Sequence, residues 1–130
     1  MISGDVDGAI AAYTEAQTLD PKLEISTFYW NTLGWFGSLH NRANDVLFAC
    51  EKLVELEESA VSQDARGLAR ALTGNFVGAI EDFEAAINSG ELKGEILEKR
   101  QRWLEALKSG INPFTPEELE SLRASEGAIS

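Results

Sequence analysis

The segment Gly74-Asn75-Phe76-Val77-Gly78-Ala79-Ile80-Glu81-Asp82-Phe83 has a near copy at Gly4-Asp5-Val6-Asp7-Gly8-Ala9-Ile10-Ala11-Ala12-Tyr13. Both begin with a glycine, a polar and an apolar residue, then carry Gly-Ala-Ile and an aromatic four residues after the alanine. A weaker third copy, Asn41-Arg42-Ala43-Asn44-Asp45-Val46-Leu47-Phe48-Ala49-Cys50, lies between them, 37 residues after Gly4 and 33 before Gly74. Self-similarity at this period marks stacked helical units. A single unit of this kind cannot bury its apolar stripe alone and needs its neighbours to cover it.

Helical spacing carries through the rest of the chain. Asp5 or Asp7 can cap a first helix that runs to about Leu19, where Asp20-Pro21 stops it. A second helix lies within Glu24 to Leu39 and is rich in aromatic residues: Phe28, Tyr29, Trp30, Trp35 and Phe36. Further helices are expected at about Asp45–Glu57, Val61–Leu72, Val77–Asn88 and Leu92–Ser109, with Gly90 and Gly110 as stops. The third buries Val46, Leu47, Cys50, Leu53 and Val54, the fifth Ala79, Ile80, Phe83 and Ile87. The sixth carries the stripe Ile96, Leu97, Arg100, Trp103, Leu104 and Leu107. Thr115-Pro116-Glu117-Glu118 reads as a start signal for a short seventh helix to about Ala124: Thr115 caps, Pro116 takes the first helical position, and Glu118 completes a capping box. With only 3 prolines, the chain is expected to be all-α. It forms one domain over residues 1–124, with residues 125–130 as a frayed tail.

Charge and composition narrow the function classes. A formal net charge of −11 argues against nucleic acid or an anionic membrane as partner, since both select a basic surface. There is no apolar run long enough to span a membrane and no basic-then-apolar leader. One cysteine, Cys50, rules out an internal disulfide and fits a reducing compartment, so the cytoplasm is the expected location. With a single histidine, His40, and a single cysteine there is no zinc set. His40 reads as a solvated turn residue and Cys50 as a buried, inert thiol. No phosphate-binding loop or nucleophile elbow is present, so no cofactor and no enzymatic activity are expected. Arg66 and Arg70 fall on the inward side of the fourth helix and need a carboxylate there, with Asp82 or Glu84 as candidates.

The spacing resembles the tetratricopeptide repeat. Trp30-Asn31-Thr32-Leu33-Gly34 matches the family's opening motif, Ala9, Tyr13 and Pro21 match the second half of a unit, and Gly67, Ala79 and Phe83 match a further unit. The resemblance departs at Gly37, Val46, Cys50, Gln63, Arg66 and Arg70. It implies an α-α superhelix of stacked helical hairpins: a half repeat at 4–21, repeats at 24–58 and 60–90, and capping helices at 92–109 and 116–124. The stretch from Arg102-Trp103 to Phe114-Thr115 is similar to the tail of repeat modules in large multidomain bacterial proteins.

Such arrays bind other proteins, usually a peptide in a concave groove lined by the first helix of each hairpin. Mapped onto this chain, the resemblance places Phe28, Asn31, Trp35 and Ser38 on that surface, followed by Val61, Asp64, Leu68 and Ala71. Glu95, Glu98, Arg102 and Glu105 complete it. One end of the groove is then aromatic and the other acidic. The alternative is that Phe28 and Trp35 only fill space in a short array. The expected role is a protein-interaction module, part of a larger scaffold or signalling protein. The competing reading is a self-associating module without a peptide groove, in which Ala9, Ile10, Tyr13 and Ala16 form a homodimer contact. That stripe suits two neighbours, and the helix that would cover its other side is missing from the repeat pattern.

Overall fold

A computed structural model describes residues 6–20 and 25–125. Among these residues the protein is all-helical, with seven α-helices and no strand: α1 (Val6–Leu19), α2 (Thr27–Leu39), α3 (Ala43–Leu56), α4 (Ala60–Leu72), α5 (Phe76–Asn88), α6 (Gly94–Lys108) and α7 (Pro116–Ser125). Gly4, Asp5, Pro21 and the tail beyond Ser125, to which the capping, stop and fraying expectations referred, lie outside the described residues.

Gly34 faces Cys50 while Gly37 faces Val46, and Gly67 faces Phe83 while Gly78 faces Arg70, so α2 runs antiparallel to α3 and α4 to α5. Ala60 and Asp64 of α4 meet Glu91 and Arg100, before and along α6, and Asn41 and Leu72 line one hollow at the ends of α2 and α4, so α2, α4 and α6 run the same way. The largest contacts join α2 to α3 and α4 to α5, while α3 also packs on α4, α2 on α4 and α5 on α6. Two of the side-chain caps start α2 and α4. Ser26 accepts from Tyr29 N at the head of α2, and Ser59 and Ser62 form a reciprocal capping box at the head of α4. The second cap falls in a stretch that reads by sequence only as a link. The turn after α2 closes with Arg42 N donating to Gly37 O at 2.8 Å, and Asn41 takes a left-handed conformation that asparagine tolerates. Gly90 and Gly110 adopt positive φ and end their helices as expected.

Two features differ from the sequence expectation. Helix α6 starts at Gly94 rather than Leu92, because the preceding segment is drawn to α4: the Glu91 carboxylate accepts from Ala60 N at 3.1 Å. Its first-turn residue Ile96, expected on the inward stripe, is exposed, whereas Arg100, Trp103 and Leu107 are buried. At α7, Thr115 caps as expected, accepting from Glu118 N at 3.1 Å. The other half of the expected capping box does not form. Thr115 N donates to Pro113 O instead, and the Glu118 carboxylate accepts from the indole N–H of Trp103 at 3.3 Å. With Thr115 N supplied by Pro113 O, the carboxylate is free to satisfy the buried Trp103 indole, whose donor would be costly to leave unpaired.

The core runs the length of the array. Trp30, Leu33 and Leu39 of α2 meet Val46, Ala49, Cys50 and Leu53 of α3. Ala65, Leu68 and Ala69 of α4 meet Ala79 and Phe83 of α5. At the far end Trp103 and Phe114 pack on Phe83, with ring centroids 4.8 Å apart for Trp103–Phe114 and 5.5 Å for Phe83–Trp103. Small residues set the helix separations. A Cβ added at Gly67 would lie 3.0 Å from the Phe83 ring, and one added at Gly34 would lie 2.5 Å from Cys50 Sγ.

The Gly34 contact gives a direct test of the helix register. Gly34→Ala is expected to cost about 1–3 kcal/mol by overpacking. In a Cys50→Ala background, where the sulfur is gone, the same change is expected to cost well under half as much. Urea denaturation of the four variants of this cycle measures the coupling; additive costs would show that α2 and α3 do not meet at these residues.

Candidate functional site

The parallel helices α2, α4 and α6 carry the residues assigned by resemblance to a binding groove, and three side chains cross-link them. Arg100 of α6 is only 2% exposed, so its charge must be matched inside the protein. Its Nε donates to Asp64 Oδ1 at 2.9 Å and to Oδ2 at 3.1 Å, and its Nη2 also donates to Oδ2. The guanidinium carbon lies 4.5 Å from the centroid of the Trp103 ring and 5.6 Å from that of Trp35. Arginine suits this position because its flat, weakly hydrated cation stacks on aromatic faces while its edge grips a carboxylate. One side chain thus ties α6 to both α4 and α2.

A second ion cluster lies between α4 and α5. The buried Asp82 carboxylate accepts from Arg66 Nη2 at 2.8 Å, from Arg66 Nε at 3.1 and 3.3 Å, and from Arg70 Nη1 at 3.2 Å. The hydrogen bond to Asp82 raises the Arg66 pKa above its usual value. Of the two carboxylates suggested by sequence, Asp82 takes this role; Glu84 faces Lys108 of α6 at 3.1 Å.

These networks divide the expected groove residues into two sets. Ser38, Asp64, Leu68, Ala71 and Trp35 are buried: Asp64 and Trp35 against Arg100, Leu68 and Ala71 in the core. None of the five is presented to a partner in this arrangement. Phe28 and Val61 are 69% and 56% exposed, Asn31 is half-buried, and Glu95, Glu98, Arg102 and Glu105 are exposed. Phe28 and Val61 are each the second residue of their helix, in α2 and α4. Because these helices are parallel and packed together, the two apolar side chains belong to the same end of the array. Glu91, bonded to the first residue of α4, brings the start of α6 and its Glu95, Ile96 and Glu98 to that end as well.

The place of α7 is a feature that sequence reasoning missed. Helix α7 folds back onto α2. Its Leu119 and Leu122 enter the core, and Arg123 Nη1 donates to the Leu39 carbonyl at the end of α2. His40, expected to be solvated, is therefore partly buried, and desolvation followed by the nearby Arg123 charge lowers its pKa. A signal existed in the Leu119, Leu122 spacing and in the Phe114 that precedes it, but nothing local says which surface they cover.

The first-helix stripe is partly satisfied inside the chain. Ala9, Ile10, Tyr13 and Ala16 are half-buried. The Tyr13 ring meets Trp30 edge-on at 4.8 Å and lies 5.7 Å from Phe48, while the Tyr29 hydroxyl donates to Ala9 O at 2.8 Å. Asp7 is ion-paired with Arg42, whose hydrogen bond holds the Asp7 carboxyl below its usual pKa. Cys50 is fully buried, and burial pushes its thiol up to about 12, which keeps it protonated and unreactive near neutral pH. Among the described residues no helix is long and apolar enough to cross a membrane.

No protein-family model, curated protein or solved structure matches the chain.

The buried Arg100–Asp64 pair is open to measurement. Asp64→Ala strands a buried cation and is expected to cost about 3–5 kcal/mol in urea denaturation. Replacing both partners, Asp64→Leu with Arg100→Met, is expected to recover most of that loss. A single variant close to the parent in stability would mean that Arg100 reaches solvent.

Proposed function

We propose that the chain is a protein-interaction module of the tetratricopeptide-repeat type, working in the cytoplasm as part of a larger scaffold or signalling protein. In this reading α2, α4 and α6 line the concave side of a short stack of helical hairpins, and a partner segment docks across their N-terminal ends. The observation that carries it is the exposure of Phe28 and Val61 at equivalent positions on two packed, parallel helices. Large apolar side chains left in water at matched sites form a surface that gains from being covered, and aromatic anchors supply much of the energy of such contacts. The neighbouring Glu95 and Glu98 favour a partner segment that combines apolar with basic residues.

Selection from a displayed random-peptide library tests this. The chain is expected to enrich peptides that pair an aromatic or aliphatic residue with lysine or arginine. A Phe28→Asp, Val61→Asp form is expected to lose them by about tenfold or more in affinity, equivalent to about 1.4 kcal/mol. Failure to enrich any ligand, or equal binding by the double variant, counts against the reading.

Self-association through α1 is the second reading, favoured by Leu19, which is 79% exposed at the end of the same helix. Against it, Tyr13 already spends its ring on Trp30 and Phe48. Light scattering over a range of concentrations separates the two. A dimer that Ile10→Glu turns into a helical monomer supports self-association; a monomer throughout supports the interaction module.

A further inference from the structure

The C-terminal end of α2 forms a seat that helix α7 occupies, with Leu72 at the end of α4 beside it. The chain's own helix shows what that seat recognises. Leu119 and Leu122, three residues apart on one face, are 6% and 0% exposed. One turn beyond Leu119, Arg123 donates to the Leu39 carbonyl, one of the last carbonyls of α2 and free of an intrahelical partner. Glu118 takes the Trp103 indole N–H at the opposite edge. The pattern is an amphipathic helix with two leucines, a leading carboxylate and a trailing arginine, which is how a helix lies in a groove.

The fit is incomplete. Beside α7 lies a half-open surface hollow of about 320 Å³ lined by Asn41, Leu72, Phe114, Pro116, Leu119 and Arg123. Close beside the Arg123 contact, Ser38 is fully buried on the last turn of α2 and its hydroxyl has no hydrogen-bond partner. Buried polar atoms are normally paired. Helix α7 is also short, at 10 residues, and is joined to α6 by an extended segment containing Pro113. A helix of that length is not stable alone and holds its shape only while seated.

From this we infer that α7 is a removable occupant, and that the seat is a second binding site whose outside ligand is an amphipathic helix carrying the pattern of Leu119, Leu122 and Arg123. The occupant and the ligand compete. The site is separate from the N-terminal ends of the helices where the first partner segment is proposed to dock, and it stands or falls independently of that reading. Detaching α7 would also free Arg123 from Leu39 and uncover the C-terminal end of α2.

The probe is a fluorescent peptide with the sequence of residues 112–124. The receptor is the full chain, either unmodified or as a Leu119→Asp, Leu122→Asp form whose own α7 cannot seat. The peptide is expected to bind the variant about tenfold or more tightly than the unmodified chain, because a filled seat lowers apparent affinity by the fraction that is open. The same peptide with both leucines changed to aspartate is expected not to bind, and a Phe28→Asp change in the receptor is expected to leave binding unaltered. A variant that remains helical but does not take up the peptide overturns the inference. So does a variant that loses its helical content, since α7 is then an inseparable part of the core. Hydrogen exchange on the unmodified chain gives an independent reading. Amides of residues 118–124 are expected to exchange at least about tenfold faster than those in the middle of α4, as local opening requires. Equal protection in the two helices overturns the inference as well.

Discussion

The pairing of Arg100 with Asp64 between two tryptophan rings is the constraint around which the array is arranged. A charge that is almost fully withdrawn from water has to be matched by a carboxylate at close range. The match fixes how α6 sits on α4, and the stacking on Trp103 and Trp35 fixes its relation to α2. Helix α6 otherwise packs chiefly on α5. The pair therefore does for the end of the array what apolar interdigitation does for its middle. The Asp82 cluster repeats the device between α4 and α5, with two arginines on one carboxylate.

This arrangement decides which surface is left open. Trp35 and Asp64 would be open in a regular array and are here committed to Arg100. Leu68 and Ala71 are committed to the core. On α2 and α4 the open apolar residues are Phe28 and Val61, at the opposite end of the helices and next to exposed acids on α6; Leu19, Leu56, Val77, Ile96 and Ile111 are exposed elsewhere. The surface is thus shorter than a groove running the full length of the helices, with its apolar and charged parts side by side.

Much of the helical pattern was legible because it rests on local and periodic rules. The glycine-flanked Ala-Ile-aromatic repeats, the Thr115 cap and the Gly90 and Gly110 stops all act within one turn or one hairpin. Those rules placed all seven helices and most of their inward stripes. The need of Arg66 and Arg70 for a carboxylate was legible for the same kind of reason: an inward-facing arginine implies its partner on the next helix, and Asp82 is there. The side of the array that α7 covers was not legible. Its two leucines say that it must be buried somewhere, but the partner surface is Leu39 and its neighbours, far away in the chain, and no local signal encodes so distant a contact. The Glu118 side chain shows the same limit at small scale. Its sequence position suits a capping box, and the tertiary proximity of the Trp103 indole outweighs it. What the sequence alone determined was an acidic, all-helical chain with repeated stripes; what the tertiary structure decided was which of those stripes close on one another and which residues are left facing water. The difference has a physical origin, since helix formation is governed by contacts within a few residues, whereas exposure depends on where distant helices finally pack.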